Sequence, residues 1–203
     1  MTTSASSLSE DNAQNTSSVL PAIETLVDPE RLACAQKLEA HAAVSDSEAA
    51  RSAADDAWMD LALAQARKAW RISPPNPSVG AVIVRNGRLV GAGHTQRTGG
   101  PHAEVMALRS AFERGLSVEG ATVYVTLEPC QMCAGAIVQA RMGRVVIGAM
   151  NPKAGCAGSI LNLLEMSEFN HQVNVERGVL EKECSTMLSE FFKKLRKQKK
   201  QVD

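Results

Sequence analysis

Aromatic side chains are scarce in this sequence: Trp58, Trp70, Tyr124 and four Phe among 203 residues. That scarcity excludes a broad stacking platform, so a planar ligand must be recognised in a snug pocket. Long hydrophobic runs are missing too. No stretch approaches the roughly 18 apolar residues expected of a membrane-spanning helix. The start, "MTTSASSLSEDNAQNTSS", has neither the basic nor the apolar part of a secretory signal, and a cytoplasmic protein is expected. Net charge is absent as well, with 22 basic against 22 acidic side chains, so the total is silent about nucleic acid. The distribution says more. Residues 1–53 carry eight acidic and three basic side chains, whereas "KKLRKQKK" (193–200) packs six basic residues into eight positions. Such a run is ordinarily a solvated helix end, and it is also a shape that tracks phosphates.

Cysteine is present, but not as a framework. Cys34, Cys130, Cys133, Cys156 and Cys184 are odd in number and irregularly spaced. Reduced thiols are therefore expected, and in that setting a thiol is more often a metal ligand or a catalyst than half of a disulfide. The rest is ordinary globular composition, 44% hydrophobic and 22% charged, in a length suited to one domain with a proper core. The first 18 residues read as disordered, and residues 19–53 as loosely helical and without chemistry. An extension over 1–53 and a compact domain over 54–203 are expected.

"DDAWMDLALAQARKAW" places Trp58, Leu61, Ala62, Ala66 and Ala69 at helical spacing, and "SPPNP" (73–77) stops that helix. Two β-rich runs around Asn86-Gly87 predict a hairpin. A helix is expected from Pro101-His102 to about Arg114. After it come a strand over 121–127, a helix over "CAGAIVQAR" and a strand over "GRVVIGA". A short helix near "ILNLLEM", a strand near "VNVERG" and a final helix over 181–198 complete the chain. Strands alternating with helices after a hairpin imply an α/β fold, a three-layer α/β/α sandwich on a mixed sheet.

The chemistry concentrates in "GPHAEVMAL" and "VTLEPCQMCAGAIV". His102 and Glu104 fall in the first turn of one expected helix, Cys130 and Cys133 in the first turn of another, where helix dipoles favour thiolates. One imidazole and two thiolates leave the fourth position of a zinc ion open to water, as in catalytic sites. Glu104, two residues from His102, is then placed to take a proton from that water and pass it to a leaving nitrogen. Two other uses compete: a C-x-x-C redox pair, and a structural zinc whose fourth ligand is Cys156, His94 or His171. H-x-E joined to P-C-x-x-C is the known signature of zinc deaminases.

With those motifs in place, residues 56–198 resemble the cytidine-deaminase-like superfamily, and the resemblance divides in two. From about 127 to 200, "LEPCQMCAGAIVQARMGRVVIGA", "PKAGCAGSILNLL", "FNHQV", "GVLEKEC" and "LSEFFKKLRKQKK" resemble bacterial tRNA-specific adenosine deaminases. From about 56 to 130, "PPNPSVGAVIV", "LVGAGHTQRTGGPHAEVMALRSA" and "GATVYVTLEPC" resemble the deaminase domain of riboflavin-biosynthesis enzymes. Those enzymes usually space their two Cys further apart and carry a reductase domain, for which 203 residues leave no room.

Both resemblances imply one zinc per subunit, bound by His102, Cys130 and Cys133, with Glu104 moving protons. The tRNA resemblance further implies a homodimer and an anticodon stem-loop as partner. Thr95 stands where the tRNA enzymes carry an Asn that contacts the flipped base, and Asn76 matches a substrate-contacting Asn of the riboflavin family. Ala103, and Asn162 near the RNA, join the implied substrate contacts. Asn151 replaces the usual Asp near the ribose, and a neutral amide there changes how a 2′-hydroxyl is read. On the last helix, Phe192 and Arg196 are placed toward RNA. Adenosine-to-inosine conversion in a tRNA anticodon loop, at the wobble position, is the expected activity. The alternatives are deamination of an aminopyrimidine nucleotide, and a catalytically weak hybrid or binding protein, including one that acts on single-stranded DNA.

Overall fold

The computed structural model describes residues 20–45 and 47–200, so the disorder expected for the first 18 residues lies outside the described residues. Five strands form one mixed sheet in the order β2-β1-β3-β4-β5. Strands β1 (Gly80–Arg85) and β2 (Arg88–His94) form the expected antiparallel hairpin. Its turn places Asn86 and Gly87 at φ of 51° and 69°, the left-handed pair that a two-residue hairpin loop requires. Strand β3 (Thr122–Leu127) pairs antiparallel with β1 and parallel with β4 (Arg144–Ala149), and β4 pairs parallel with β5 (Asn174–Arg177).

Successive side chains on the central strands supply two different cores, as the period of a strand requires. Ala81, Ile83, Val123, Val125, Val145 and Ile147 face α3 (Ala103–Phe112) and α4 (Gln131–Gln139). Val82, Val84, Tyr124 and Val146 face α2 (Glu48–Ala69) and α5 (Glu181–Lys199), with Trp58 and Leu61 of α2 wholly buried. The three-layer α/β/α sandwich expected from the sequence is the architecture found.

The segment before α2 packs firmly. Helix α1 (Pro29–Ser45) buries Leu32 and Ala35 against α2. The Trp58 indole N–H donates to Glu39 (3.1 Å), the Gln65 side-chain amide donates to the Leu26 carbonyl (2.7 Å), and Arg31 pairs with Asp60. Helix α2 itself runs unbroken through residues 53 and 54.

One expected element is corrected. The short helix near "ILNLLEM" does not form; residues 160–166 are an irregular loop with an isolated bridge between Ala157 and Asn162. Their apolar spacing has another cause. Leu164 is buried in the α3/α4 core while Ile160 and Leu161 stay exposed, and the Leu163 and Leu164 backbone pairs with Cys156 and Val173 instead of along a helix.

Candidate metal centre and cavity

Strands β3 and β4 end on the same edge of the sheet, the edge where open α/β sheets hold their ligands. His102 and Cys130 sit there as the N-cap residues of α3 and α4, with near-identical backbones (φ −76° and ψ 171°, φ −76° and ψ 175°). The equivalence is local: each residue leaves an extended segment and enters a helix, so each side chain points across the helix start. Gly93 brings α3 close. A Cβ there would lie 2.5 Å from the Ala107 nitrogen and 2.6 Å from the Ala103 carbonyl oxygen.

The His102 Nδ1 lies 3.5 Å from both Cys130 Sγ and Cys133 Sγ, and the three ligand atoms all lie within 4.8 Å of one another. Zinc bonds of about 2.0–2.1 Å to nitrogen and 2.3 Å to sulfur, at tetrahedral angles, put the two donors about 3.5 Å apart. The trio therefore fits zinc. Among the described residues no fourth His, Cys, Asp or Glu joins the group. Cys156 Sγ faces the Ala154 carbonyl at 3.7 Å, and His171 Nε2 bonds the Met142 carbonyl at 2.7 Å. With neither of these turned to the trio, a closed structural site is disfavoured.

Titration within the trio is coupled. The Cys130 thiol is pulled down to about 3, foremost by the hydrogen bond from Cys133. Cys133, which supplies that proton and is buried, is pushed up. His102 is raised by its hydrogen bond to Cys130. A single negative charge is thus shared between two sulfurs, and a divalent cation is what allows both to ionise. Glu104 is 4% exposed in the first turn of α3, and burial pushes its carboxyl up. An acid held above the usual range can give a proton as well as take one.

A cavity of about 150 Å³ opens beside the trio, walled by Asn76, Pro77, Val79, Thr95, His102, Glu104, Leu127, Glu128, Cys130, Asn151 and Ala154. Asn76, Thr95 and Asn151 therefore line the same cavity. The Thr95 hydroxyl accepts from the Val79 N–H at 3.3 Å. Asn151 accepts from the Lys153 N–H through its side-chain oxygen at 3.3 Å. Four expected contacts fall outside the cavity wall. Ala103 is buried inside α3. Asn162 is exposed and donates to Glu165 at 2.7 Å. Phe192 stacks edge-on against Phe191, and Arg196 is exposed on α5.

Glu128 is the site residue that sequence reading passed over. Its carboxylate accepts from the backbone N–H of Asn151 (2.8 Å), Ala157 (2.9 Å) and Ser159 (2.9 Å) and from the Ser159 hydroxyl. Burial acts to raise its carboxyl, and these hydrogen bonds outweigh it and hold the group below the usual range. Gly155 is necessary beside it, because a Cβ there would lie 2.0 Å from a Glu128 oxygen. The only sequence signal was an acid immediately before Pro129-Cys130.

The pattern of the cytidine and deoxycytidylate deaminase zinc-binding region matches residues 52–149. Among solved structures, a diaminohydroxyphosphoribosylaminopyrimidine deaminase/5-amino-6-(5-phosphoribosylamino)uracil reductase from Thermotoga maritima superposes with a TM-score of 0.60 at 36% identity, over 71% of this chain and 42% of that one. A structure from work on A-to-I editing by tRNA:A34 deaminases superposes with a TM-score of 0.57 at 35% identity, over 64% of this chain and 98% of that one. The tRNA-specific adenosine deaminase of Bacillus subtilis is 45% identical over 152 residues, 72% of this chain and 93% of that protein. That alignment is longer than the rear region 127–200, so the likeness extends through the front half as well. Identity this high along nearly the whole of a relative, on a shared fold and around an intact ligand trio, places the chain in the tRNA-specific adenosine deaminase family.

Proposed function

We propose that this protein hydrolyses adenosine to inosine, with release of ammonia, at the wobble position of a tRNA anticodon loop. The carrying observation is the trio of His102, Cys130 and Cys133, of which His102 and Cys130 share the wall of one small cavity with the buried carboxylic acid of Glu104. His102, Cys130 and Cys133 would hold one zinc ion per subunit, which when bound would act as a Lewis acid and make water more acidic. Glu104 takes a proton from water and delivers it to the departing amine. Thr95, Asn76 and Asn151 fix the flipped base and its sugar, and Glu128 keeps the Asn151 loop at its station. In a chain with so few aromatics, selectivity rests on the fit of the base to this cavity.

Exposed Phe112, Met132, Ile160 and Leu161 give the α3/α4 side an apolar character that suits a homodimer interface. No helix among the described residues is long and apolar enough to cross a membrane, and a tRNA substrate places the enzyme in the cytoplasm.

A second reading has its own support. Asn76 does reach the cavity, and the Thermotoga deaminase/reductase superposes over 71% of this chain, so an aminopyrimidine nucleotide is the competing substrate. The deciding experiment combines zinc analysis with parallel assays on a tRNA anticodon stem-loop, the matched DNA loop and a pyrimidine nucleotide. Inosine in the RNA arm, lost in Glu104→Gln, supports the proposal. Ammonia from the nucleotide alone replaces it with the second reading, and turnover in the DNA arm assigns Asn151 a tolerance for deoxyribose.

A further inference from the structure

Residues 20–28 lie ahead of the family pattern, which begins at residue 52. They cross the open β2 edge of the sheet from one helical layer to the other. At one end the Pro21 carbonyl accepts from the Arg114 side chain, two residues past α3, at 3.1 Å. At the other the Leu26 carbonyl accepts from Gln65 (2.7 Å) and Lys68 (2.6 Å) of α2. Between these ends a single 3₁₀ turn, Ile23–Leu26, lies against β2. Ile23 and Val27 are buried in the core that Leu89 and Ala92 of β2 share with α2. Gln65 is 3% exposed, and a buried amide deprived of its acceptor is costly. The segment is therefore fixed at both ends.

The two elements it grips are those that carry the Asn76 and Thr95 side of the cavity. The turn of α2 that holds Gln65 and Lys68 is pressed onto the start of β1. A Cβ on Gly80 would lie 2.0 Å from the Ala62 carbonyl oxygen and 2.3 Å from the Ala66 nitrogen. The Ser78 hydroxyl donates to the Ala66 carbonyl at 2.5 Å, and its neighbours Pro77 and Val79 wall the cavity. Beyond α2, the Asn76 N–H donates to the Ser73 carbonyl at 2.9 Å and the Thr98 hydroxyl to the Pro74 carbonyl at 3.2 Å. Strand β2 ends at His94, one residue before Thr95, whose N–H donates to the Val79 carbonyl at 3.0 Å. A close-packed interior passes a displacement on instead of absorbing it.

We infer that residues 20–28 are a clamp that positions Asn76 and Thr95 for the substrate, acting from outside the cavity through α2 and β2. Ile23, Val27 and the Leu26 carbonyl are its positioning groups, and none of them belongs to the cavity wall. Its effect on turnover rests on the reaction proposed above, whereas its hold on the wall needs no substrate.

The test pairs hydrogen exchange, read by mass spectrometry on the zinc-loaded full chain, with steady-state kinetics on an anticodon stem-loop. The double variant Ile23→Ala, Val27→Ala empties the two apolar anchors, and Ile23→Val, Val27→Ile keeps them filled as the conservative rescue. Leu32→Ala controls for lost stability, because it opens the same core beside Trp58 and Leu61, away from the clamp. In the double alanine variant, amide exchange is expected to quicken over 73–80 and 92–96 while α3 and α4 keep their parental rates. KM is expected to rise about fivefold, the worth of one hydrogen bond. Zinc content and kcat stay parental, as they do when ground-state binding alone is lost. The conservative variant behaves as the parent, and Leu32→Ala lowers Tm with KM unchanged. Ile23→Ala alone is read in the same way if the double variant does not fold. Parental exchange over 73–80 and 92–96 overturns the inference, as does an unchanged KM in the double variant or an equal rise in Leu32→Ala. A parent that binds zinc but forms no inosine sinks the proposed reaction, and the exchange measurement alone then decides the clamp.

Discussion

Glu104 and Glu128 are both buried carboxyl groups at one cavity, and their surroundings push them in opposite directions. Glu104 is raised because burial dominates; Glu128 is lowered because hydrogen bonds outweigh burial. Glu104→Gln is expected to cut turnover by about 10²–10⁴ while zinc content is unchanged, read by elemental analysis beside the inosine assay. The same variant also acts on stability. A carboxyl raised in the folded state favours folding in its protonated form and opposes folding once ionised. Above both titrations the zinc-free Gln variant is therefore more stable than its parent, and the difference vanishes below the ordinary carboxylate range. For Glu128 the sign reverses. Its depressed carboxyl stabilises the fold above the ordinary range and loses that contribution as pH falls through its folded value. Glu128→Gln is expected to cost roughly 2 kcal/mol near neutrality, shrinking in acid, with KM rising because the Asn151 loop loosens. Melting curves across pH check both signs. A Glu128→Gln deficit that grows on acidification would contradict the assignment.

At the level of elements, two helix starts do the positioning. An N-cap leaves backbone N–H groups aimed at whatever lies beyond the helix, and the paired caps at His102 and Cys130 bring a dipole to each side of the trio. The paired motifs H-x-E and P-C-x-x-C, each at an expected helix start, are what pointed to His102, Glu104, Cys130 and Cys133 as one set. Segments whose partners lie far off in sequence were harder to read. Helix α1 looks featureless on its own, with its buried Leu32 and Ala35 among polar neighbours, and only the face of α2 explains it. Leu32→Ala is expected to destabilise the protein by about 2–3 kcal/mol, seen as a lowered Tm, because the vacated volume lies inside a core shared with Trp58 and Leu61. An unchanged melt would show α1 to be a detachable arm.

Across the full chain, the α2/α5 side carries a groove rich in basic residues and the α3/α4 side carries exposed apolar residues. Association through the latter is expected to yield a dimer in sedimentation. Met132→Glu combined with Phe112→Glu shifts the species to monomer, since a buried unpaired carboxylate at an interface is costly. The candidate ligand set, the acid proposed to carry protons, the alternation that builds two cores and the family are all legible in the bare chain. They rest on short local patterns, the two motifs H-x-E and P-C-x-x-C among them, and on the family resemblance that those motifs anchor. That Asn76, Thr95, Glu128 and Asn151 share one wall, and that Asn162, Phe192 and Arg196 do not, emerges only from the packed molecule. So do the loop over 160–166 and the gathering of scattered cations from α2 and α5 into one groove. Which distant side chains meet is set by how helices pack on the sheet, and local periodicity carries no record of it.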